Sequence, residues 1–256
     1  MRLIELSTVF YRYLQLAGLD RSSITAQMFA QFRDFANSRI DSIWKSDVWP
    51  DLIRVTAYPG DTVVVDAQGI RTVQLGTDVG EVLNVYDKDP RLTTRAKVLK
   101  YFLYNDGTHD YLNLMQNSTP VFVEYRIVNP ELYGDAWSAT VAYSVGAQAY
   151  FDTSSNTGSF TPGAGKQPAG NLYECIIATS ANQSPTSNVA NWSLVEIPYF
   201  LGDYVARATL SDYLRAEGQF DQAVIAEAEA EQTREKEVER ILTTQGQVRT
   251  INFFGY

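Results

Sequence analysis

The chain has 256 residues, of which 45% are hydrophobic and 20% charged, with a formal net charge of -9. That is an ordinary globular composition, long enough for one large domain or two smaller ones, and its acidity argues against a general nucleic-acid-binding surface. No stretch reaches the roughly 20 apolar residues that cross a bilayer, and the lone Cys175 forms no internal disulfide and suits a reducing cytoplasm.

The opening "MRLIELSTVFYRYLQLAG" carries Glu5 and Arg12 where a secretory signal would be apolar. Its Leu3, Leu6, Phe10, Tyr13, Leu14 and Ala17 fall at helical spacing, with Gly18 as the stop. Ser22 or Ser23 then caps a second helix that runs to about Lys45, with Ile24, Met28, Phe32, Phe35, Ile40 and Ile43 on one side. Pro50 disfavours helix at Trp49 and closes this first segment, residues 1–50.

Over 51–130 the period changes. "DTVVVDA", "GIRTVQL", "EVLNVYD", "VLKYFLY" and "PVFVEYRIV" are β-branched or aromatic runs separated by Gly, Pro and Asn-Asp-Gly signals. They predict a compact antiparallel sheet, closed or sandwiched, with a short helical turn at the start of "RLTTRAKVLKYFL". Residues 131–197 are poor in charge and rich in Ser, Thr, Asn, Gly and Ala, with a loop "GSFTPGAGKQPAG" at 158–170. They predict an inserted small β module. Two more helices follow over 198–244, separated at Gly218. The expected fold is therefore α+β: an antiparallel helical bundle made from the N- and C-terminal helices, with the two β pieces inserted between them.

No constellation points to catalysis. His109, the only histidine, lies in "NDGTHDY", where Asn-Asp-Gly has its own reason to exist as a hairpin turn. Asp106 and Asp110 beside it imitate a metal site, but no second histidine or cysteine lies nearby to complete one. Asp87 and Asp89 precede Pro90 and suit a turn better than a paired-carboxylate mechanism. Cys175 sits in an apolar run and reads as a small core residue. Neither a phosphate loop nor a dinucleotide fingerprint nor a nucleophile elbow is present. The expectation is a protein with no catalytic residues, metal or cofactor.

The last helix is acidic. Between 215 and 240, Glu217, Asp221, Glu227, Glu229, Glu231, Glu235, Glu237 and Glu239 face only Arg215, Arg234, Lys236 and Arg240. Arg234 with Glu231, or Lys236 with Glu239, adds weak pairing on its surface. The chain closes on "QGQVRTINFFGY", which lacks helical periodicity and predicts an extended arm over 245–256. Its Gln245, Gln247, Val248, Arg249, Ile251, Phe253, Phe254 and Tyr256 suit docking by strand addition and aromatic insertion on a partner.

Two resemblances follow from these residues. Within 131–197, Trp137, Tyr143, Gly146, Tyr150, Tyr173, Cys175 and Trp192 fall in a pattern that resembles the small chitin-binding type of carbohydrate-binding module. The resemblance implies either exposed aromatics that stack on sugar rings or a miniature aromatic core. The whole arrangement is "RIDSIWKSDVWPDL", then "LNVYDKDPR" and "TPVFVEYRIVNPEL", then "LGDYVARATLSDYLRAEGQFDQAVIAEAEAEQ" and the terminal "QGQVRTINF". It resembles the head-to-tail adaptor (neck, head-completion) proteins of tailed bacteriophages.

That resemblance implies a ring, typically of twelve copies, assembled in the host cytoplasm and built into the virion at the head–tail junction. It implies a portal partner for the 245–256 arm, tail or neck proteins below, and genomic DNA passing without sequence-specific binding. The 131–197 module would project outward as a decoration, and no membrane is involved. The competing expectation is a carbohydrate-binding virion or surface protein that uses this module for glycan adhesion.

Overall fold

The structure is a computed structural model that describes residues 2–19, 26–46, 49–65, 70–115, 120–151, 171–185 and 187–249. It is a mixed helix-and-sheet protein that divides into two compact units. One comprises residues 1–47 and 130–240, the other 48–129 and 241–256.

The first unit opens with strand β1 (Leu3–Glu5), so Leu3 leaves the predicted helix and is exposed. Helix α1 (Leu6–Leu16) then buries Leu6, Val9, Phe10, Tyr13 and Leu14. Gly18, at φ 67°, lets Leu19 N–H reach back to the Leu14 carbonyl, a left-handed closure that glycine adopts without steric cost. Helix α2 (Ala26–Ser46) follows. Its buried stripe is Phe29, Phe32, Ala36, Ile40 and Ile43. Phe29 thus takes the core position that the sequence reading gives to Met28, while Phe35 is half-buried. Ile24 and the candidate caps Ser22 and Ser23 lie outside the described residues.

Helix α3 (Gly202–Ala216) buries Tyr204, Val205, Ala206, Ala208 and Thr209 and packs against both α1 and α2. Helix α4 (Phe220–Arg249) is reached through Gly218, whose φ of 76° repeats the closure seen at Gly18. Ala223, Ala226 and Ala230 form its buried face. The Ser211 hydroxyl of α3 donates to the Ala223 carbonyl at 2.9 Å, so the two backbones approach closely.

The same unit contains the small β module. Before α3, strands β9 (Asp135–Ala136), β10 (Gln148–Phe151), β11 (Asn171–Cys175) and β12 (Trp192–Leu194) form one sheet in the order β12-β11-β10-β9. Within this module β9 pairs parallel to β10, while β10, β11 and β12 pair antiparallel. Strand β13 (Glu196–Pro198) then pairs antiparallel with β1, stapling the chain's start beside the entry to α3.

In the second unit, strands β2 (Ile53–Tyr58), β8 (Val121–Ile127) and β5 (Val79–Tyr86) form an antiparallel sheet in the order β2-β8-β5. Strands β3 (Val63–Val65), β4 (Arg71–Gln74), β7 (Asp110–Leu114) and β6 (Tyr101–Asn105) form a second, in the order β3-β4-β7-β6. Val63, Val73, Leu112 and Leu114 from one sheet share a core with Val85, Val121, Val123 and Tyr125 from the other. Alternation along each strand puts these residues on the inner faces. The short helical turn expected before β6 is a single turn, in which the Leu92 and Thr93 amides both donate to the Asp89 carbonyl.

Candidate functional site

The acidic helix α4 is held by arginines. Arg39 of α2 donates two hydrogen bonds to Asp212 of α3, at 2.7 and 2.6 Å, and two to Glu227 of α4, at 2.7 and 2.6 Å. Arg215 approaches the same two carboxylates at 3.4 and 3.3 Å. The planar fork of a guanidinium matches a carboxylate at two points, so one side chain fixes three helices in register. The hydrogen bonds that Arg39 donates to Asp212, with those to Glu227, hold it protonated against the cost of its burial. Burial works to raise the Glu227 carboxyl, and the hydrogen bonds and charge of Arg39 outweigh it, so Glu227 sits below its ordinary range.

Other arginines neutralise more of the helix. Arg207 pairs with Glu229, Arg234 with Glu231 at 2.8 Å, and Arg240 with Glu237 at 2.7 Å. The expected Lys236–Glu239 pair does not form. Glu217, Asp221, Glu235 and Glu239 are exposed and have no ion-pair partner among the described residues. Four of the eight carboxylates therefore carry uncompensated charge; of the other four, Glu227 and Glu229 tie α4 to α2 and α3, and Glu231 and Glu237 pair within the helix itself.

The helix also runs further than the sequence suggests. Its backbone continues through Gln245, Gln247 and Val248 to Arg249, so residues 245–249 are helical and not the start of an extended arm. The lone Gly246 costs a helix only about 1 kcal/mol, which thirty residues of ladder absorb. Ile251, Phe253, Phe254 and Tyr256 lie outside the described residues.

The aromatic residues of 131–197 are divided by the period of β10. Ala149 and Phe151 point into a core with Trp137, Cys175 and Trp192, against which Tyr143 and Tyr173 pack. Tyr150, between them, points to the opposite face and stacks on Phe29 of α2, with ring centroids 3.8 Å apart. Trp137, Tyr150 and Trp192 are 6%, 1% and 5% exposed. A ring buried on both faces offers no platform to a sugar, so in this conformation these three are core residues.

The module packs directly on helix α2. Phe29, Arg33 and Asn37 are spaced one turn apart on α2 and all engage it. Arg33 donates to the Gly134 carbonyl at 2.7 Å and to Asp135 at 3.1 Å. Asn37 accepts from the Leu132 amide at 2.8 Å and donates to the Leu132 carbonyl.

The remaining candidates are structural. Asp106 accepts hydrogen bonds from the Thr108 and His109 amides at 2.8 Å each, which closes the β6–β7 hairpin and holds its carboxyl below the ordinary range. Asp89 binds Arg91 through both its side chain and its amide, and Asp87 accepts from the Lys97 amide at 2.7 Å. The Cys175 thiol is buried, which raises its pKa, and it donates to the Ile177 carbonyl at 3.1 Å. Among the described residues no three His, Cys, Asp or Glu side chains gather closely enough to hold a metal ion. Among the same residues, no helix is long and apolar enough to cross a membrane.

The Arg39 clamp is the feature that sequence reasoning missed. Its signal was weak: Arg39 sits one position before Ile40 on the edge of an apolar stripe, and its partners are 173 and 188 residues away. No family model matches this chain, and a comparison with curated proteins finds no match.

Proposed function

We propose that the chain is a head-to-tail adaptor of a tailed bacteriophage: a structural virion protein, with no catalytic step, that forms a ring between portal and tail. The observation that carries the reading is the packing of α3 against both N-terminal helices, with α4 clamped to α2 and α3 by Arg39. Helices from the two ends of the chain thus form one body, and a β unit is looped out between them. In this proposal the four helices act as an antiparallel bundle, repeated in about twelve copies around the DNA passage, as the resemblance to adaptor proteins implies.

The unpaired carboxylates Glu217, Asp221, Glu235 and Glu239 support the passage role. A row of like charge repels the DNA backbone and gives it nowhere to adhere. The chain from Gln245 to Tyr256 serves as the portal-docking arm, beginning as the last turn of α4 and ending in the aromatic "INFFGY". Adhesion to glycans through the module is the weaker reading, because Trp137, Tyr150 and Trp192 are occupied in packing.

The test is electron microscopy of the virions that carry the protein. The expected result is a ring at the portal vertex, lost when residues 250–256 are deleted although the truncated protein still folds. Density for the protein on fibres or spikes, or a normal neck built from the truncated chain, overturns the proposal.

A further inference from the structure

The chain is acidic as a whole, yet its second unit carries one concentrated run of positive charge. Between β5 and β6, Lys88, Arg91, Arg95, Lys97 and Lys100 are all exposed, against two carboxylates, Asp87 and Asp89. Both carboxylates are engaged inside the connection: Asp87 accepts from the Lys97 amide at 2.7 Å, and Asp89 from the amide and the guanidinium of Arg91. Lys88, Arg95, Lys97 and Lys100 have no ion-pair partner among the described residues.

The backbone shapes this run into an arm. The Leu99 amide donates to the Val85 carbonyl at 2.7 Å and the Asp87 amide to the Lys97 carbonyl at 3.1 Å, with Tyr86 paired to Val98 between them. These rungs make residues 85–99 a two-stranded ribbon, and the turn on the Asp89 carbonyl closes its tip. Side chains alternate along extended backbone, so Lys97 lies on the face of the buried Leu99, and Lys100 lies with the exposed Val98 on the other. Leu92, 85% exposed, stands at the tip.

That distribution selects the partner. A flat acidic protein surface meets one face of a ribbon and leaves the cations of the second face in water. The major groove of duplex DNA is about 12 Å wide, admits a two-stranded ribbon and is walled by phosphates on both sides. Three of the four unpaired cations are lysines, point charges that suit phosphate, whereas paired recognition of carboxylates favours the arginine fork.

We propose that the 85–99 ribbon seats in the major groove of double-stranded DNA, with Lys88, Arg95, Lys97 and Lys100 on the phosphates of its two walls and Leu92 against the base edges. The ribbon contains no Asn or Gln, and its Arg91 is held by Asp89, so it grips the duplex without reading sequence. The inference goes beyond the adaptor reading and does not need it.

Four phosphate contacts set the size of the effect. Counterion release lowers the logarithm of the binding constant against that of salt with a slope of about -0.9 per contact, about -3.6 for four. Affinity should therefore fall about 150-fold between about 50 and 200 mM NaCl. The acid excess of the rest of the chain keeps binding in the weak, non-specific range, a Kd of about 10⁻⁴–10⁻⁶ M.

The test is fluorescence anisotropy of a labelled duplex of about 20 base pairs, titrated with the full-length chain across that salt range. The expected slope is about -3 to -4, with the single strand of the same sequence bound several-fold more weakly. Arg95→Gln with Lys97→Gln should bring the slope to about -2 without moving the thermal melt, and Lys88→Gln with Lys100→Gln should do the same. Lys236→Gln, an exposed cation on α4, should change neither. Absent duplex binding at the lowest salt, a slope that both double variants leave unaltered, or equal binding of the single strand overturns the proposal. Poly-glutamate that displaces the duplex at lower charge concentration overturns it in favour of an acidic protein partner. None of these results touches the adaptor reading, which stands or falls on the ring seen in virions.

Discussion

Replacing Arg39 by methionine tests the account of how α2, α3 and α4 are joined. The side chains of Arg39, Asp212 and Glu227 are 15%, 19% and 25% exposed, so the substitution leaves two carboxylates short of solvent and without their main partner. Breaking a fully buried pair costs about 3–5 kcal/mol. Arg215 remains at 3.4 and 3.3 Å and partial exposure screens what is left, which reduces the expected loss to about 2–3 kcal/mol.

For a unit of this size that is a fall of about 5–10 °C in Tm, read by calorimetry as a shift of the helical unit's transition. The triple change Arg39→Met, Asp212→Leu and Glu227→Leu removes both charges with their partner and should recover most of the loss. A single variant within about 0.5 kcal/mol of the native protein would refute the clamp as an energetic feature. A triple variant no better than the single one would show that uncompensated charge is not the cause.

Three further outcomes are expected. Because the Glu227 carboxyl is lowered in the fold from an ordinary value of 4.5, the unfolded chain binds its proton first as pH falls; the stabilisation is present above 4.5 and is lost as pH drops through the lower folded value. Glu227→Gln should therefore flatten the acid limb of stability against pH in urea titrations, and an unchanged limb would contradict the assignment. Tyr150→Ala should cost about 3–5 kcal/mol and Phe29→Ala a similar amount, with the double variant losing clearly less than their sum; strict additivity would mean that the stacked pair is not coupled. Gly80→Ala puts a Cβ 2.8 Å from the Val128 Cα, and Gly134→Ala puts one 2.8 Å from the Gln148 carbonyl carbon. Each should cost about 1–3 kcal/mol, the first in the β unit's calorimetric transition and the second in the helical unit's.

Local pattern alone made much of this protein legible. The 3.6-residue spacing of Leu6, Phe10, Tyr13 and Leu14 and the glycines at 18 and 218 predict helices and their ends, because backbone sterics act within a few residues of chain. Period-2 runs likewise predict β3, β4, β5, β6 and β8. Strands β2 and β7, "IRVTAY" and "DYLNL", carry the same local signal, and the sequence reading names neither.

Tertiary structure decided the rest. Nothing in "AQAYFD" says that Ala149 and Phe151 turn into the module while Tyr150 turns out to meet Phe29; only the position of α2 settles which face is which. The same holds for Arg39, a residue that reads as solvated surface until Asp212 and Glu227 are brought to it. Periodicity determines which residues share a face of an element, because that is local geometry. What each face meets depends on pairings across a hundred residues or more, and those are fixed only when the chain closes on itself.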